Sequence, residues 1–190
     1  MIRRVVLAVT GASGMPYAVS LARELSRAPG VELHLILSDA ARLVLSLESA
    51  VSAAELSGMA HTVYRQNELD AGPASGSWRH AGMVVCPCSM ASLAAIATGL
   101  GSNLIHRAAD VCLKERRPLI LVPRETPYNR THLKNMLAAH EAGAEILAAA
   151  PGFYHKPATI DDLVHFVVAR ILDRLGISHD LMHGWKEDTP

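Results

Sequence analysis

Val5-Val6-Leu7-Ala8-Val9-Thr10-Gly11-Ala12-Ser13-Gly14 opens the chain with an apolar, β-branched run that breaks directly into a turn of small residues. Unbroken apolar character from Val5 to Thr10 suits a strand buried on both faces of a parallel sheet. Tyr17, Leu21 and Leu25 then recur at helical spacing, so a helix runs to about Arg27 and Pro29-Gly30 stops it. Residues 31–37 read as a second strand. Strand, tight turn, helix and strand in this order form the repeating unit of a parallel α/β sheet.

The unit repeats along the chain. Residues 40–47 read as a helix, 83–86 as a third strand closed by Pro87, and 93–97 as part of a helix ending near Gly99. Residues 104–114 read as a helix, 118–122 as a fourth strand, 132–142 as a helix ended by Gly143, and 146–150 as a fifth strand. Thr159 is an N-cap, with Asp161 and Asp162 in the first turn to favour the helix dipole. Leu163, Phe166, Val167, Ile171 and Leu175 carry that last helix to Gly176. Residues 51–78 mix Ser, Gly and Ala with charges, and Pro73-Ala74-Ser75-Gly76-Ser77 has loop chemistry, so no element is assigned there. The expected fold is a single α/β domain with a doubly wound, Rossmann-like parallel sheet over residues 1–178, followed by a polar tail over 179–190.

Composition narrows the function classes. Half of the 190 residues are apolar, and 18 basic side chains balance 18 acidic ones. That balance argues against nucleic acid or an anionic membrane surface as the main partner. Cys86, Cys88 and Cys112 make an odd count with no disulfide framework, which fits a reduced cytoplasmic setting. Cys86 and Cys88 are too close for a CxxC pair, and the histidines show no ligand spacing, so no metal is expected. The basic and apolar start is too short for a signal segment, and no apolar stretch reaches the roughly 20 residues of a membrane span.

In doubly wound sheets, ligands bind where strands end at their carboxyl edges. Four segments lie just after strands: Gly11 to Gly14, Ser38, Pro87 to Ser92, and Arg124-Glu125. Their convergence points to one ligand site. Taken alone, each segment has a plainer reading. The glycine loop is either an anion cradle or a tight turn. Ser89 is either a ligand hydroxyl or a helix cap. Arg124-Glu125, between Pro123 and Pro127, pairs a forked cation with an acid or base. Arg107 and Lys114 are two helical turns apart and share a face, so both could reach one phosphate. Glu48 alone reads as surface, Tyr154 as a packing aromatic, and Arg170 as a stem covering an apolar stripe.

Taken in order, several runs together resemble the UbiX-type flavin prenyltransferases. They are Thr10-Gly11-Ala12-Ser13-Gly14, Cys86-Pro87-Cys88-Ser89, Asn103-Leu104-Ile105, Arg107-Ala108-Ala109-Asp110-Val111 and Leu113-Lys114-Glu115-Arg116-Arg117-Pro118. Pro123-Arg124-Glu125-Thr126-Pro127 and Pro151-Gly152-Phe153-Tyr154 continue the match over nearly the whole chain. The resemblance implies a flavodoxin-like, metal-independent cytoplasmic enzyme, usually dodecameric. It would join dimethylallyl phosphate to reduced FMN and hand the product, prenylated FMN, to a UbiD-type decarboxylase. Gly11, Ala12, Ser13, Ser38, Ser89, Met90, Ala91, Ser92 and Arg124 would hold FMN. Arg107, Lys114, Tyr154 and Arg170 would grip the prenyl phosphate, with Tyr154 and Arg170 reaching across a subunit interface. Trp185 would add an aromatic face to the prenyl group. Glu125 would protonate the departing phosphate, and Glu48 with Ser13 would assist proton removal.

Two positions depart from the family pattern. Leu69 stands where several relatives have Trp, and Asp39 follows Ser38 where Lys is common. Two other readings compete. A flavin-dependent cysteine decarboxylase would carry Asn and Thr in the loop that here reads Gly76-Ser77-Trp78. A flavin carrier, or a decarboxylase-associated subunit without turnover, would have no need of the set Glu48, Lys114, Glu125 and Arg170.

Overall fold

The computed structural model describes residues 2–182. Six strands form one sheet: β1 (Arg3–Val9), β2 (Val31–Leu37), β3 (Thr62–Arg65), β4 (Gly82–Cys88), β5 (Leu119–Pro123) and β6 (Glu145–Ile146). Seven helices connect or follow them: α1 (Met15–Arg27), α2 (Asp39–Glu48), α3 (Ala53–Gly58), α4 (Met90–Ala97), α5 (Leu104–Lys114), α6 (Arg130–Glu141) and α7 (Ile160–Leu175). All pairings are parallel, in the order β3-β2-β1-β4-β5-β6.

The central strand shows why this sequence chooses this sheet. Val5, Leu7 and Val9 join the core with α1 and α7 residues Leu21, Leu25, Val168 and Leu172. Val6 and Ala8 point to the other face and pack with Leu93, Ile105 and Ala109 of α4 and α5. Alternate residues of a strand face opposite ways, so helices on both sides demand apolar residues at every position. Ends are set locally. Thr159 and Asp162 form a reciprocal capping box on α7, and Gly176 closes that helix in the left-handed region at φ 62°.

Three expectations change. The five strands read from the sequence are here β2-β1-β4-β5-β6, the flavodoxin-type order; β3 adds an edge strand and completes a Rossmann-type order. Thr62-Val63-Tyr64-Arg65 is short and only half-buried, so it lacks the apolar run that marks the inner strands. The third expected strand continues through Pro87 to Cys88 as β4; its register to β5 shifts between Val85 and Cys88 around the proline, which has no N–H to donate. The last expected strand shrinks to Glu145–Ile146, although Leu147 and Ala149 still donate to β5 carbonyls at 2.9 and 3.1 Å.

The three cysteines are free and buried. Burial pushes the Cys88 and Cys112 thiols up to about 12, which keeps them protonated and unreactive. Leu181, in the expected tail, packs against the α1/α7 core. Among the described residues, no helix is long and apolar enough to cross a membrane, and no cluster of three or more His, Cys, Asp or Glu is placed to hold a metal.

Candidate functional site

The strand order reverses between β1 and β4, and the carboxyl ends of these two strands frame a crevice. Thr10 clips its two sides together. Its hydroxyl donates to the Pro87 carbonyl at 2.7 Å and accepts from the Ser89 N–H at 2.8 Å. Thr10 carried no assigned role in the sequence; a hydroxyl ending a buried apolar run is the signal that marks it.

Gly11 lies against the first turn of α2. A Cβ there would come within 2.5 Å of the Ala40 Cβ, so only glycine lets loop and helix approach this closely. Gly14 adopts φ 118° and starts α1 without a side-chain cap. The missing cap is supplied from α2. The Glu48 carboxylate accepts from the N–H groups of Gly14 at 2.8 Å and Met15 at 3.0 Å. A carboxylate at a helix N-terminus is favoured by the dipole and satisfies orphan donors.

That position sets the charge of Glu48. Burial pushes its carboxyl upward. The Ser13 hydroxyl, the Met15 and Gly14 N–H groups and the Arg124 charge outweigh burial, holding it below the ordinary value of 4.5. Glu48 is therefore an ionised acceptor at neutral pH. A group whose folded pKa is depressed stabilises the fold above its unfolded pKa, and loses that contribution as pH falls through the folded value. Wild type is thus expected to exceed Glu48→Gln in stability above pH 4.5. The gap should be at most about 1 kcal/mol, the scale of an exposed charge at a helix end. It should close below the folded pKa, as followed by thermal melts across pH.

Arg124 reaches the same loop from β5. Its Nε donates to the Ser13 carbonyl at 3.1 Å, and its Nη1 lies 4.0 Å from Glu125 Oε1. Ser38 caps α2 by accepting from Ala41 at 3.0 Å, and Ser89 caps α4 by accepting from Ser92 at 3.2 Å. Both serines are helix caps in this chain, and Met90, Ala91 and Ser92 form the first turn behind Ser89. Gly11, Ala12, Ser13, Ser38, Glu48, Ser89 to Ser92, Arg124 and Glu125 thus meet at one sheet edge. Hydroxyls, one guanidinium and small residues on a crevice floor suit a flat ring with polar edges.

The remaining assigned residues stand apart. Arg107, in the first turns of α5, pairs with Asp110 at 3.6 Å. Lys114, at the far end of α5, pairs with Glu115 at 3.7 Å. The two share a face as expected but are about 10 Å apart along the axis. Lys114 lies toward the amino edge of the sheet, where Arg117 donates to the Gly76 and Trp78 carbonyls. Tyr154 packs its ring edge-on against Phe166, with centroids 5.7 Å apart. Arg170 pairs with Asp173 at 3.0 Å and lines a cavity with β6. Of the two departures, Leu69 is half exposed and Asp39 accepts from Gln66 at 2.7 Å. Trp185 lies outside the described residues.

Comparison with known proteins agrees with this geometry. The chain matches the Flavoprotein family over residues 1–172. It is 48% identical over 185 residues to flavin prenyltransferase UbiX of Deinococcus radiodurans, covering 97% of this chain and 94% of that protein. It superposes at TM-score 0.94 on a dodecameric FMN-dependent UbiX-like decarboxylase from Escherichia coli O157:H7, at 43% identity, covering 96% of this chain and 99% of that one. It superposes at TM-score 0.92 on AnUbiX (PadA1) in complex with FMN and dimethylallyl pyrophosphate, at 41% identity, covering 98% and 100%. A match of this extent and identity, on the same fold, means that the chain belongs to the Flavoprotein family and, within it, to the UbiX-type flavin prenyltransferases.

Proposed function

We propose that this chain joins dimethylallyl phosphate to reduced FMN and releases prenylated FMN for a UbiD-type decarboxylase. The observation that carries this reading is the loop at Ser13 and Gly14, which holds an ionised Glu48 on one side and Arg124 with Glu125 on the other. A carrier would need the loop and not the acid–base pair flanking it.

Reduced FMN supplies the electron-rich ring that takes the prenyl group. The chain must do the rest. The allylic C–O bond breaks with its electron pair leaving on phosphate, so preplaced cations lower the barrier. Arg107, Lys114 and Arg170, with Tyr154, are assigned that task, and Glu125 gives the departing phosphate its proton. The proton lost as the new ring forms goes to Glu48, through Ser13, whose hydroxyl is hydrogen-bonded to that carboxylate. A closed crevice keeps water from the allylic cation.

The assembly we propose is a homo-oligomer, a dodecamer like the E. coli relative. Leu43 and Leu47 on α2, and Leu133 and Leu137 on α6, support it: each pair is exposed at helical spacing, as subunit faces are. The compartment we propose is the cytoplasm, supported by three free, buried thiols.

The test is anaerobic incubation of the purified protein with FMN, dithionite and dimethylallyl phosphate, followed by mass spectrometry of the flavin. The expected result is a gain of one prenyl unit with release of phosphate. Unchanged flavin with either the monophosphate or the pyrophosphate donor, while FMN is bound, would overturn the reading in favour of a carrier.

A further inference from the structure

We propose that His179 is a positioning residue for prenyl transfer: through the Asp173 carboxylate it orients the Arg170 guanidinium toward the prenyl phosphate. The inference rests on the assignment of Arg170 to that phosphate. His179 itself carried no assigned role in the sequence.

The turn after α7 brings the three side chains together. Gly176 reverses the chain, and the Ile177 N–H donates to the Leu172 carbonyl at 3.0 Å. Ile177 is buried and Leu181 packs against the α1/α7 core, so residues 177–181 fold back along the helix they follow. His179 lies between these two anchors, with its side chain only 9% exposed. Its Nδ1 accepts from the Leu181 N–H at 3.3 Å, so the ring proton sits on Nε2. Nε2 donates to Asp173 Oδ1 at 3.1 Å. The other oxygen, Oδ2, accepts from Arg170 Nη1 at 3.0 Å.

An exposed Arg–Asp pair on one helix holds little by itself, because two side chains must be ordered in water. Here one end of the chain of contacts is already fixed. His179 is seated by folding and pins the carboxylate from the buried side. Asp173 then holds Nη1 in one place at small further entropic cost. The Nε2–H donor also takes up part of the carboxylate charge, which would otherwise oppose a phosphate. Asp173 engages Nη1 alone, and the fork at Nε and Nη2 is left for phosphate oxygens. Arg170 opens on the cavity of about 250 Å³ between β6 and α7, with Arg174 on the same wall. Arg174 is drawn to Glu145 at 2.8 Å, so Arg170 is the arginine of this cavity whose partner is itself held by a buried ring. All these contacts lie within one copy, so the arrangement travels with Arg170 to the crevice it serves.

Kinetics of the full-length protein with reduced FMN and varied dimethylallyl phosphate test this. His179→Leu is expected to lower kcat/KM for the donor about 5- to 30-fold, the range that loss of one hydrogen bond to a charged group produces. FMN affinity should stay at the wild-type level. His179→Gln, whose side chain can accept from Leu181 and donate to Asp173, should restore most of the rate. Asp173→Asn, on the exposed side of α7, should share the defect of His179→Leu. The double variant should be no worse than Asp173→Asn alone, because His179 acts through that carboxylate. Wild-type kinetics in His179→Leu overturn the proposal, as do additive losses in the double variant or a loss that His179→Gln does not repair. Equal loss of FMN affinity and donor kcat/KM would make His179 a residue of the fold, and overturns it too. Normal prenyl transfer by Arg170→Ala would overturn the underlying assignment of Arg170, and the proposal with it. An inactive Arg170→Ala beside an unaffected His179→Leu overturns the proposal alone.

Discussion

Lys114→Ala is expected to lose turnover by about 10²- to 10³-fold, the cost of removing one preorganised stabiliser of a developing anion, while FMN affinity stays at the wild-type level. Lys114 ends α5, five residues before β5 begins, and its described partner is Glu115 at 3.7 Å. It is remote from the glycine loop of its own chain, so FMN has no reason to sense its loss. Prenyl phosphate does have a reason. C–O cleavage concentrates negative charge on the leaving group, and an ammonium charge at that point acts most strongly in the transition state. Single-turnover product formation by mass spectrometry, paired with an FMN titration, separates the two effects. Equal loss of both would assign Lys114 to flavin binding or to the fold, and full retention of turnover would remove it from the phosphate site.

Two inactive variants, Glu48→Ala and Arg170→Ala, are expected to regain activity when co-assembled. Helix α1 packs between α2 and α7. Two interaxial spacings, each about 8–10 Å, therefore separate the helix of Arg170 from that of Glu48. Arg170 also lies on the β6 side of α7, in the cavity with Glu145, Leu147 and Phe166. In the proposed oligomer, a complete site would therefore take Glu48 from one copy and Arg170 from another. Differently tagged variants, co-expressed and purified through both tags, should recover activity of about a quarter of wild type, the random-mixing value for a site built from two chains. Mixed oligomers as inactive as either parent would refute the shared site.

The glycine loop, Ser38, the start of α4 and Arg124-Glu125 were legible because each directly follows a buried apolar run, and such runs announce themselves as strands. The helix from Leu104 to Lys114 and the cap at Thr159 were legible for a related reason: local periodicity and capping chemistry need no tertiary partner. β3 was not legible. An edge strand is paired on one side and half-buried, so Thr62-Val63-Tyr64-Arg65 carries too weak a pattern to stand out.

Glu48 is the sharpest contrast. Its sequence setting, the end of an apolar helix, marks it as surface, and only family resemblance gave it a role. The fold bends that helix end back to the start of α1, where two N–H groups wait without a cap. Gly14, in the left-handed region, leaves those donors bare, and the nearest acceptor is 34 residues away along the chain.

By itself, then, the sequence determined the parallel α/β architecture and the edge on which the site lies, since both follow from short-range patterns of burial and turn chemistry. Tertiary structure alone decided that Glu48 is an ionised cap on α1 and that Lys114 and Arg170 point away from their own crevice. Those outcomes depend on how distant segments are turned toward one another, and the free energy that fixes such orientations lies in packed contacts that no local stretch of sequence contains.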